Sequence, residues 1–533
     1  MEKSKDKPDA GLRSLDHYKV RLPAWRYQFR ERLLPIVRWE TPYVAWLQDS
    51  LRTGILDTYF ASTANLGTHT FFMIMLPILF WGGNTSLARA MVHVLATGVF
   101  FSGFVKDLLC LPRPLSPPLT RISMSRSTAL EYGFPSTHST NAVSVAVYAL
   151  YFLYQPSNQM DANIRLGLKV LSYFYAFSIV LGRLYCGMHG FFDVILGSVL
   201  GALLGAVQAA YGEAFDDWVH AGDVKRVAIV VLIILVLVRI HPEPADDCPC
   251  FDDSVSFAGV LVGIELAGWH FAQTTYAWSH PTKGTIPYDL KKMGWLITVA
   301  RVILGVLVVF AWRGVMKPTL LKILPPIFRV IEQLGLTLPR RFFKPASEYS
   351  TIPRQSHDDN IIPPARDIPG LLSNFRRRRA ISIGPQSEAD AYETIAYRNK
   401  RRRDSLNPTE GLTTTKEESI PPSSPESGYV EPTGTTQGRK RSSSVEMFRA
   451  QMGTGVEALS SVPATASDGK PQRQQDDQAA DELQEQQIFS GIQKPRVRYD
   501  VEVVTRLIVY SGIAWWAVEG VPIIFKHAGL SVE

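Results

Sequence analysis

The stretch SYFYAFSIVLGRLYCGMHGFFDVILGSVLGALLGAVQAAYG, residues 172–212, decides the fold class of this 533-residue chain. Two apolar runs flank a short turn, and that turn carries Arg183, His189 and Asp193. Each run approaches the roughly 20 residues that an α-helix needs to cross a hydrocarbon layer about 30 Å thick. The stretch therefore predicts two membrane-spanning helices joined by a charged loop.

Apolar runs of this kind recur along the chain and predict an all-α fold, a polytopic transmembrane helical bundle of eight or nine spans. The predicted spans lie near 62–82, 87–107, 139–155, 165–185, 191–211, 225–240, 255–273, 293–312 and 503–525. Two polar residues in the seventh span, Glu265 and His270, are expected to form interhelical hydrogen bonds. The overall composition, 46% hydrophobic and 20% charged, would fit a soluble enzyme, but the clustering of the apolar residues excludes one.

Composition divides the chain into five predicted regions. They are a polar, interfacial N-terminal segment (1–60), a membrane-embedded core (61–212), further transmembrane helices with an amphipathic segment near 318–345 (213–345), a disordered polar insert (346–497) and a C-terminal transmembrane helix (498–533). In the core, Gly197, Gly201 and Gly205 recur every four residues. This spacing predicts a bare helix face that another helix can approach closely.

The insert at 346–497 is rich in Pro, Ser, Gln and charged residues and lacks sustained periodicity, which is typical of disorder. Its basic clusters at 376–379, 400–403 and 439–441 each precede serine, at Ser382, Ser405 and Ser442–Ser444. One interpretation is a solvated linker. The other is contact with anionic lipid, tuned by phosphorylation of the serines. No nucleic-acid partner is expected, because no aromatic or folded reader accompanies the charge.

Metal ligands are sparse in the sequence. The close pair Cys248 and Cys250 lacks a matching His/Cys cluster for structural zinc, so these residues are expected to be free thiols. No Asp/Glu cluster suited to Mg²⁺ lies near the charged residues at the ends of the spans. The sequence thus predicts neither a metal nor another cofactor.

Charged residues at the ends of predicted spans form three motifs. The first is KDLLCLPRP at 106–114, the second is GFPSTHS at 133–139, and the third is GRLYCGMHGFFD at 182–193. Ionisable groups near a bilayer are costly, and those that persist usually face a cavity and perform a task. Because two crossings separate the second motif from the third, all three lie on one side of the membrane and can form one site.

The motifs together predict a phosphate-binding site. Lys106, Arg113 and Arg183 supply cations, and the arginine fork matches phosphate oxygens geometrically. Ser136 and Thr137 lie where the second motif opens a helix, and the unpaired N–H groups there favour an anion.

Two histidines and a carboxylate add reactivity to this site. His189 and Asp193 are four residues apart, so on a helix they would share a face, and the carboxylate would hold one ring nitrogen protonated. The other nitrogen of His189 would then attack phosphorus, while His138 would donate a proton to the leaving alkoxide. The predicted reaction is phosphoryl transfer to His189 followed by hydrolysis, with the three cations neutralising the developing charge.

The three motifs resemble the signature of the phosphatidic acid phosphatase type 2 superfamily: a Lys, six residues and Arg-Pro, then Pro-Ser-Gly-His, then Ser-Arg, five residues, His, three residues and Asp. The matching residues are Lys106, Arg113, Pro114, Pro135, Ser136, His138, Arg183, His189 and Asp193. Thr137 replaces the Gly of the pattern and Gly182 replaces its Ser, which puts minor phosphate contacts in doubt. The Pro-Ser-Thr-His form and the run from Tyr185 to His189 resemble the sphingosine-1-phosphate phosphatase branch, including its fungal enzymes.

The resemblance implies a metal-independent hydrolase of the endoplasmic reticulum that dephosphorylates sphingoid long-chain base 1-phosphates in sphingolipid metabolism. It assigns His189 as the nucleophile, Asp193 as its orienting partner and His138 as the acid, with a phosphohistidine intermediate. One alternative is a broader lipid phosphate or isoprenoid pyrophosphate phosphatase. Another is a lipid-binding or transport protein without turnover, which the intact set of His189, Asp193 and His138 disfavours.

The distribution of basic residues predicts the side of the membrane on which the motifs lie. Outside the motifs, the short loops opposite them carry Arg165, Lys225, Arg226, Lys283, Lys291 and Lys292, against Arg121 and Arg126 on the motif side. Because basic residues favour the cytosolic side, this bias places the motifs in the lumen. The basic N-terminus and insert argue the other way, although long segments weigh less in this rule.

Overall fold

The computed structural model describes residues 15–67, 69–116, 119–122, 131–156, 160–246, 248–336, 343–350, 352 and 498–532. This part of the chain is almost entirely helical, as predicted. The exception is a parallel pair of two-residue strands, in which β1 (Phe343–Lys344) lies beside β2 (Arg498–Tyr499). The three basic clusters of the insert and their serines lie outside the described residues.

A helix lies at each of the nine predicted spans within the described part of the chain. The helices are α1 (Leu15–Arg21), α2 (Ala24–Leu51), α3 (Gly54–Thr63), α4 (His69–Trp81), α5 (Thr85–Leu109), α6 (Thr137–Tyr154), α7 (Ala162–Tyr185), α8 (Phe191–His220), α9 (Val224–Ile240), α10 (Cys250–Phe271), α11 (Leu290–Gln333), α12 (Val501–Trp515) and α13 (Val521–His527). Among the residues that the structure describes, five segments are long and apolar enough to cross a membrane: α5, α7, α8, α11 and the run from α12 to α13.

Two predicted boundaries differ from the structure. The first span is interrupted by a 3₁₀ turn at Ala64–Gly67 and continues as α4, because the glycine lowers the helical propensity of the chain there. The segment predicted to lie apart from the eighth span is instead continuous with it, since α11 runs through Pro318 and Pro325. Each proline removes one helical hydrogen bond, but Leu320 and Phe328 around them remain buried in the core.

The glycine face of α8 packs directly on α6, as predicted. A Cβ atom at Gly197 would lie 2.6 Å from the carbonyl oxygen of Ser136, and one at Gly205 would lie 2.9 Å from that of Ser144. Only a residue without a side chain allows this approach. The start of α6 is thereby held against the start of α8.

The interhelical hydrogen bonds expected of the seventh span are also present. His93 of α5 and Glu265 of α10 are joined at 2.7 Å. His270 lies 2.6 Å from Glu519, in the π-helical turn between α12 and α13. The prediction for Glu265 and His270 is therefore confirmed.

One end of the bundle, here named the motif end, gathers all three motifs. The ends of α5 and α7 and the starts of α6 and α8 lie there, and α2 lies across them. Both borders of the insert reach the same end, where Arg498 hydrogen-bonds the carbonyl of Cys248.

The insert begins later than predicted, because residues 346–350 are folded. The Ala346 N–H donates to Asp500 at 2.9 Å, and the Tyr349 hydroxyl donates to the same carboxylate. Arg329 of α11 donates to the carbonyl oxygens of Ala346 and Tyr349. These bonds satisfy the backbone of a segment whose composition alone indicates disorder.

Candidate active site

Backbone hydrogen bonds connect the three motifs at the motif end. Gly133 N donates to Leu111 O at 2.9 Å, which joins the second motif to the first. Ser136 N donates to Asp193 O at 3.1 Å, which joins the second motif to the third. Phe134 and Phe192 also stack with their ring centroids 4.6 Å apart. The predicted convergence of the motifs is thus present in the fold.

His189 and Asp193 meet, but not as residues of one helix. His189 lies in the loop after α7, and Gly190 is the N-cap of α8. The Asp193 side chain reaches back to accept a hydrogen bond from Gly190 N at 3.0 Å, which is the geometry of a capping box. His189 Nδ1 lies 3.5 Å from Asp193 Oδ2. The prediction of a shared helix face is wrong, because the helix begins between the two residues.

Arg113 fixes the orientation and the tautomer of the His189 ring. Its Nη1 lies 3.2 Å from His189 Nε2 and also donates to Met188 O at 2.8 Å. Because a guanidinium can only donate, Nε2 must be the accepting, unprotonated nitrogen. The ring proton then lies on Nδ1, facing Asp193. This is the tautomer in which the Nε2 lone pair faces the cations, where it accepts a hydrogen bond from Arg113.

The electrostatic neighbours of His189 are the residues singled out by the motifs. Burial, followed by Arg113, Lys106, Arg183 and His138, holds the pKa of His189 well below its usual value. The imidazole is therefore neutral at neutral pH, as a nitrogen nucleophile requires.

An unpredicted carboxylate, Glu131, connects two of the cations. Its Oε2 lies 3.4 Å from Lys106 Nζ and 3.2 Å from Arg113 Nη2. Arg113 Nε also donates to the Glu131 carbonyl oxygen at 3.2 Å. Burial lowers the pKa of Arg113, while Glu131 opposes that shift. Glu131 thus occupies the position between the cations that a bound anion would take.

The third cation, Arg183, is buried and has no carboxylate within ion-pair distance among the described residues. Its Nε is a buried donor without a hydrogen-bond partner in the same part of the chain. A buried guanidinium with an unpartnered Nε, close enough to His189 to lower the pKa of its ring, is suited to binding a phosphate.

Ser136, Thr137 and His138 lie at the start of α6, as predicted. The fully buried Ser136 hydroxyl accepts a hydrogen bond from Ser139 N and acts as the N-cap. Thr137 and His138 are half-buried and lie in the first turn. Thr137 Oγ1 accepts a hydrogen bond from Ser102 at 3.0 Å, so Ser136 and Thr137 are both occupied by structural bonds.

Packing explains one departure from the superfamily pattern. A Cβ atom at Gly182 would lie 2.8 Å from the Phe60 ring of α3. The ring of Phe60 packs in turn on Tyr185, with centroids 4.7 Å apart. The glycine of the third motif thus accommodates a helix that lies outside the motif.

Within the described residues, one group of side chains has the spacing of a metal site. The ligand atoms of Asp107, Cys248 and Cys250 lie within 4.8 Å of one another. The two cysteines form a disulfide, however, which corrects the expectation of free thiols and leaves only the carboxylate as a ligand. This group therefore does not fit a bound metal ion in the form observed.

Some residues of the site lie outside the motifs and were not predicted. Glu131 stands just before the second motif, and Glu40 and Gln48 of α2 contact the third. The sequence does carry one signal for α2, since its aromatic residues recur at a helical period that leaves Gln48 on the opposite face.

Comparisons with known proteins agree with this geometry. The PAP2 superfamily profile matches residues 87–215, which include all three motifs. A dihydrosphingosine 1-phosphate phosphatase of Schizosaccharomyces pombe is 41% identical over 304 residues, 57% of this chain and 72% of the relative. The corresponding enzyme of Saccharomyces cerevisiae is 33% identical over 58% of this chain and 75% of its own. Sphingosine-1-phosphate phosphatase 2 of Homo sapiens is 26% identical over 53% of this chain and 72% of its own. No solved structure matches the chain.

Proposed function

Because the chain belongs to the PAP2 superfamily, as its motifs predict, we propose that it is a membrane phosphatase that dephosphorylates sphingoid long-chain base 1-phosphates. One observation carries the proposal. A neutral, buried His189 presents Nε2 toward Arg113, within the field of Lys106 and Arg183. Pure binding of a phosphate would gain nothing from an oriented nucleophile. The predicted phosphatase core, 61–212, contains every residue of this arrangement.

The first chemical step transfers the phosphoryl group to the enzyme. Once Arg113 donates to the phosphoryl oxygens instead of to His189 Nε2, that nitrogen attacks phosphorus with its lone pair, and the bond between phosphorus and the alkyl oxygen breaks. His138 donates a proton to the departing alkoxide, which leaves as the free long-chain base. Asp193 stabilises the positive charge that forms on the His189 ring. Lys106, Arg113 and Arg183 stabilise the negative charge on the phosphoryl oxygens. The start of α6 at Ser136 and Thr137 contributes its backbone dipole.

The second step hydrolyses the phosphohistidine. His138, now neutral, takes a proton from water while the oxygen attacks phosphorus and the bond to Nε2 breaks. Inorganic phosphate leaves, and His189 returns to its neutral form. Protein cations carry the electrostatic role in both steps, so we expect turnover to persist in the presence of a chelator.

The substrate class is tested by competition between lipids. Purified protein should release phosphate faster from sphingosine, dihydrosphingosine or phytosphingosine 1-phosphate than from phosphatidic acid or an isoprenoid pyrophosphate. Equal rates on all of them would favour the alternative of a broader lipid phosphate phosphatase. Absence of phosphate release from every lipid would leave a binding or transport protein and would refute the proposed activity.

We further propose that the protein resides in the endoplasmic reticulum membrane with the motif end in the lumen. The bias of Arg165, Lys225, Arg226 and Lys283 toward the opposite loops supports this orientation. An N-glycosylation acceptor introduced within 123–130 should be modified, whereas one within 157–159 should not. The reverse pattern would place the site in the cytosol.

For the insert, we propose contact with anionic lipid through its basic clusters, weakened by phosphorylation of the neighbouring serines. Replacing Arg376–Arg379 by glutamine should reduce binding to vesicles that contain phosphatidylserine. Aspartate at Ser382 should act in the same direction. Unchanged binding in both variants would leave the interpretation of a solvated linker.

A further inference from the structure

Helix α2 is built with its aromatic side chains outward. Trp25, Phe29, Trp39, Tyr43 and Trp46 recur at helical spacing, and all are exposed, Trp39 to 68% and Trp46 to 70%. Large aromatic residues in a row are unfavourable in water but suit the interface between lipid and water. This face continues the predicted role of residues 1–60 as an interfacial segment.

The opposite face of α2 is buried and polar. Arg26, Arg30, Glu40 and Gln48 lie on it, with Glu40 exposed to 2% and Gln48 to 1%. Burying such groups is costly unless each finds a partner. These four side chains meet partners within the protein, which lie in the first motif, in the third motif and in the loops at Thr120 and Glu243.

Two arginines of α2 hold the end of α5, which lies within the first motif. Arg26 Nε donates to Leu108 O at 2.8 Å, and Arg30 Nε donates to Cys110 O at 3.2 Å. These carbonyl oxygens belong to the last turn of α5 and its C-cap, which have no partner within the helix. The arginines thereby fix the segment between Lys106 and Arg113.

Gln48 connects the third motif to the loop that follows the first. Its Nε2 donates to Tyr185 O at 2.8 Å and to Thr120 O at 2.7 Å. Its Oε1 accepts from Thr120 N at 2.8 Å. The end of α7 and the 119–122 loop are thus joined through one amide.

Glu40 acts closest to the proposed nucleophile. Its Oε2 accepts a hydrogen bond from Phe192 N at 2.8 Å, in the first turn of α8. The Gly190 backbone packs directly against the same carboxylate, leaving no room for a side chain at that position. Gly190 and Phe192 stand on either side of the α8 start, between His189 and Asp193. A carboxylate at a helix N-terminus is favourable, but Oε1 of Glu40 is buried without a hydrogen-bond partner in the described structure.

We propose that Glu40 is a positioning residue for the phosphoryl transfer, acting from an interfacial helix outside the PAP2 region at 87–215. It holds the start of α8 so that Asp193 faces His189 Nδ1 and Nε2 points at phosphorus. This inference rests on the proposed phosphatase activity. A displacement of the nucleophile by about 1 Å can lower a rate roughly 10²-fold, whereas the cations that bind the phosphate are held by other contacts.

The test compares three variants of the full-length protein. Glu40→Ala removes the acceptor, Glu40→Gln keeps an acceptor without the charge, and Asp49→Asn removes a charge from the exposed face of the same helix. For each, kcat and KM are measured on a sphingoid base phosphate, together with inhibition by vanadate and by inorganic phosphate. Vanadate mimics the transition state at the nucleophile, while phosphate reports ground-state binding.

We expect Glu40→Ala to lower kcat about 10- to 100-fold with KM changed less than about threefold. The inhibition constant for vanadate should rise in proportion, and that for phosphate should stay the same. Glu40→Gln should recover part of kcat and show a smaller rise in the ratio of the two constants. Asp49→Asn should match the wild type in all four quantities.

A kcat unchanged in Glu40→Ala would overturn the proposal. Equal rises in the inhibition constants for vanadate and for phosphate would also overturn it, because they indicate general disruption of the site. If Glu40→Ala does not accumulate as folded protein, an unchanged ratio of the two constants in Glu40→Gln would overturn it instead. A wild-type protein without any phosphate release would refute the proposed function itself, which is a different outcome from a variant that behaves like an active wild type.

Discussion

The two ends of the helical bundle both bury charged side chains, but they balance the charges differently. At the end opposite the motifs, Arg89 lies 3.3 Å from Asp216 and His93 lies 2.7 Å from Glu265. At the motif end, Lys106 and Arg113 share a single carboxylate, and Arg183 has none within ion-pair distance in the described part of the chain. The two clusters are about 25 Å apart along α5, from the helical rise between Arg89 and Lys106.

Matched pairs and unmatched cations lead to different conclusions. A buried ion pair balances its own charge, so Arg89 and Asp216 need no further anion, although Arg89 Nε and Nη2 have no hydrogen-bond partner in the described structure. Arg183 has no carboxylate within ion-pair distance in the same part of the chain, and a bound anion would balance its charge. The comparison therefore distinguishes a structural network in the bundle from a ligand site, although both consist of buried charge near lipid.

The largest expected effect follows from removing the nucleophile. His189→Ala should abolish turnover, because it removes the nitrogen that attacks phosphorus in the proposed mechanism. The variant should still bind inorganic phosphate, since Lys106, Arg113 and Arg183 remain. The measurement is phosphate release together with equilibrium binding of phosphate. Turnover of this variant at the wild-type rate would show that His189 is not the nucleophile. It would also weaken the distinction between the two ends of the bundle.

The partners of His189 should show effects that do not add. Asp193→Asn and His138→Ala should each lower kcat by roughly 10²- to 10⁴-fold, the range of general acid–base catalysis. The double variant should lose much less than the product of the two, because the residues act as one unit. A double-mutant cycle on kcat checks this prediction. Multiplicative losses would mean that the two residues act independently.

The opposite end should respond in stability and not in chemistry. Glu265→Ala leaves His93 buried without its partner, and breaking a buried pair costs about 3–5 kcal/mol. We expect a lower unfolding temperature in detergent with kcat per folded molecule unchanged. His93→Leu combined with Glu265→Leu should recover part of the loss. A fall in kcat with unchanged stability would make this end a functional site and break the comparison.

The acid limb of the pH profile should move when one cation is removed. Since the pKa of His189 lies well below 6.5, kcat/KM should fall tenfold per pH unit only below that lowered value, where the ring becomes protonated. Arg113, Lys106, Arg183 and His138 all favour the neutral ring, and Asp193 faces its proton. Arg183→Gln should therefore shift the acid limb to higher pH. The second ionisation of the substrate phosphate serves as the control, because it is the same for both enzymes. An unmoved limb would contradict the prediction.

How much of the fold and of the candidate site could be predicted depends on whether the residues that contact one another are close in sequence. The motif residues could be predicted because charges within a few residues of an apolar run are conspicuous. The position of His189 ahead of α8 could not, since Gly190 and the capping box of Asp193 decide where that helix begins. Glu40 is about 150 residues from Phe192, and only the tertiary packing of α2 brings them together. The position of Glu265 inside an apolar span predicted a hydrogen bond to another helix, but not that its partner is His93.

The smallest expected effect concerns Glu131, the carboxylate that pairs with Lys106 and Arg113. Glu131 accepts from Lys106 and Arg113, so a phosphate must compete with it for both cations. Glu131→Gln removes the charge and keeps the size, and we expect the KM for the lipid and the inhibition constant for phosphate to fall a few-fold together. The change in kcat should be smaller, because Glu131 has no assigned part in bond making. Asp49→Asn, which removes a charge from the exposed face of α2, is the control. If phosphate instead bound more weakly to Glu131→Gln, Glu131 would be orienting the cations for phosphate. It would then be part of the binding site and not a competitor of the ligand.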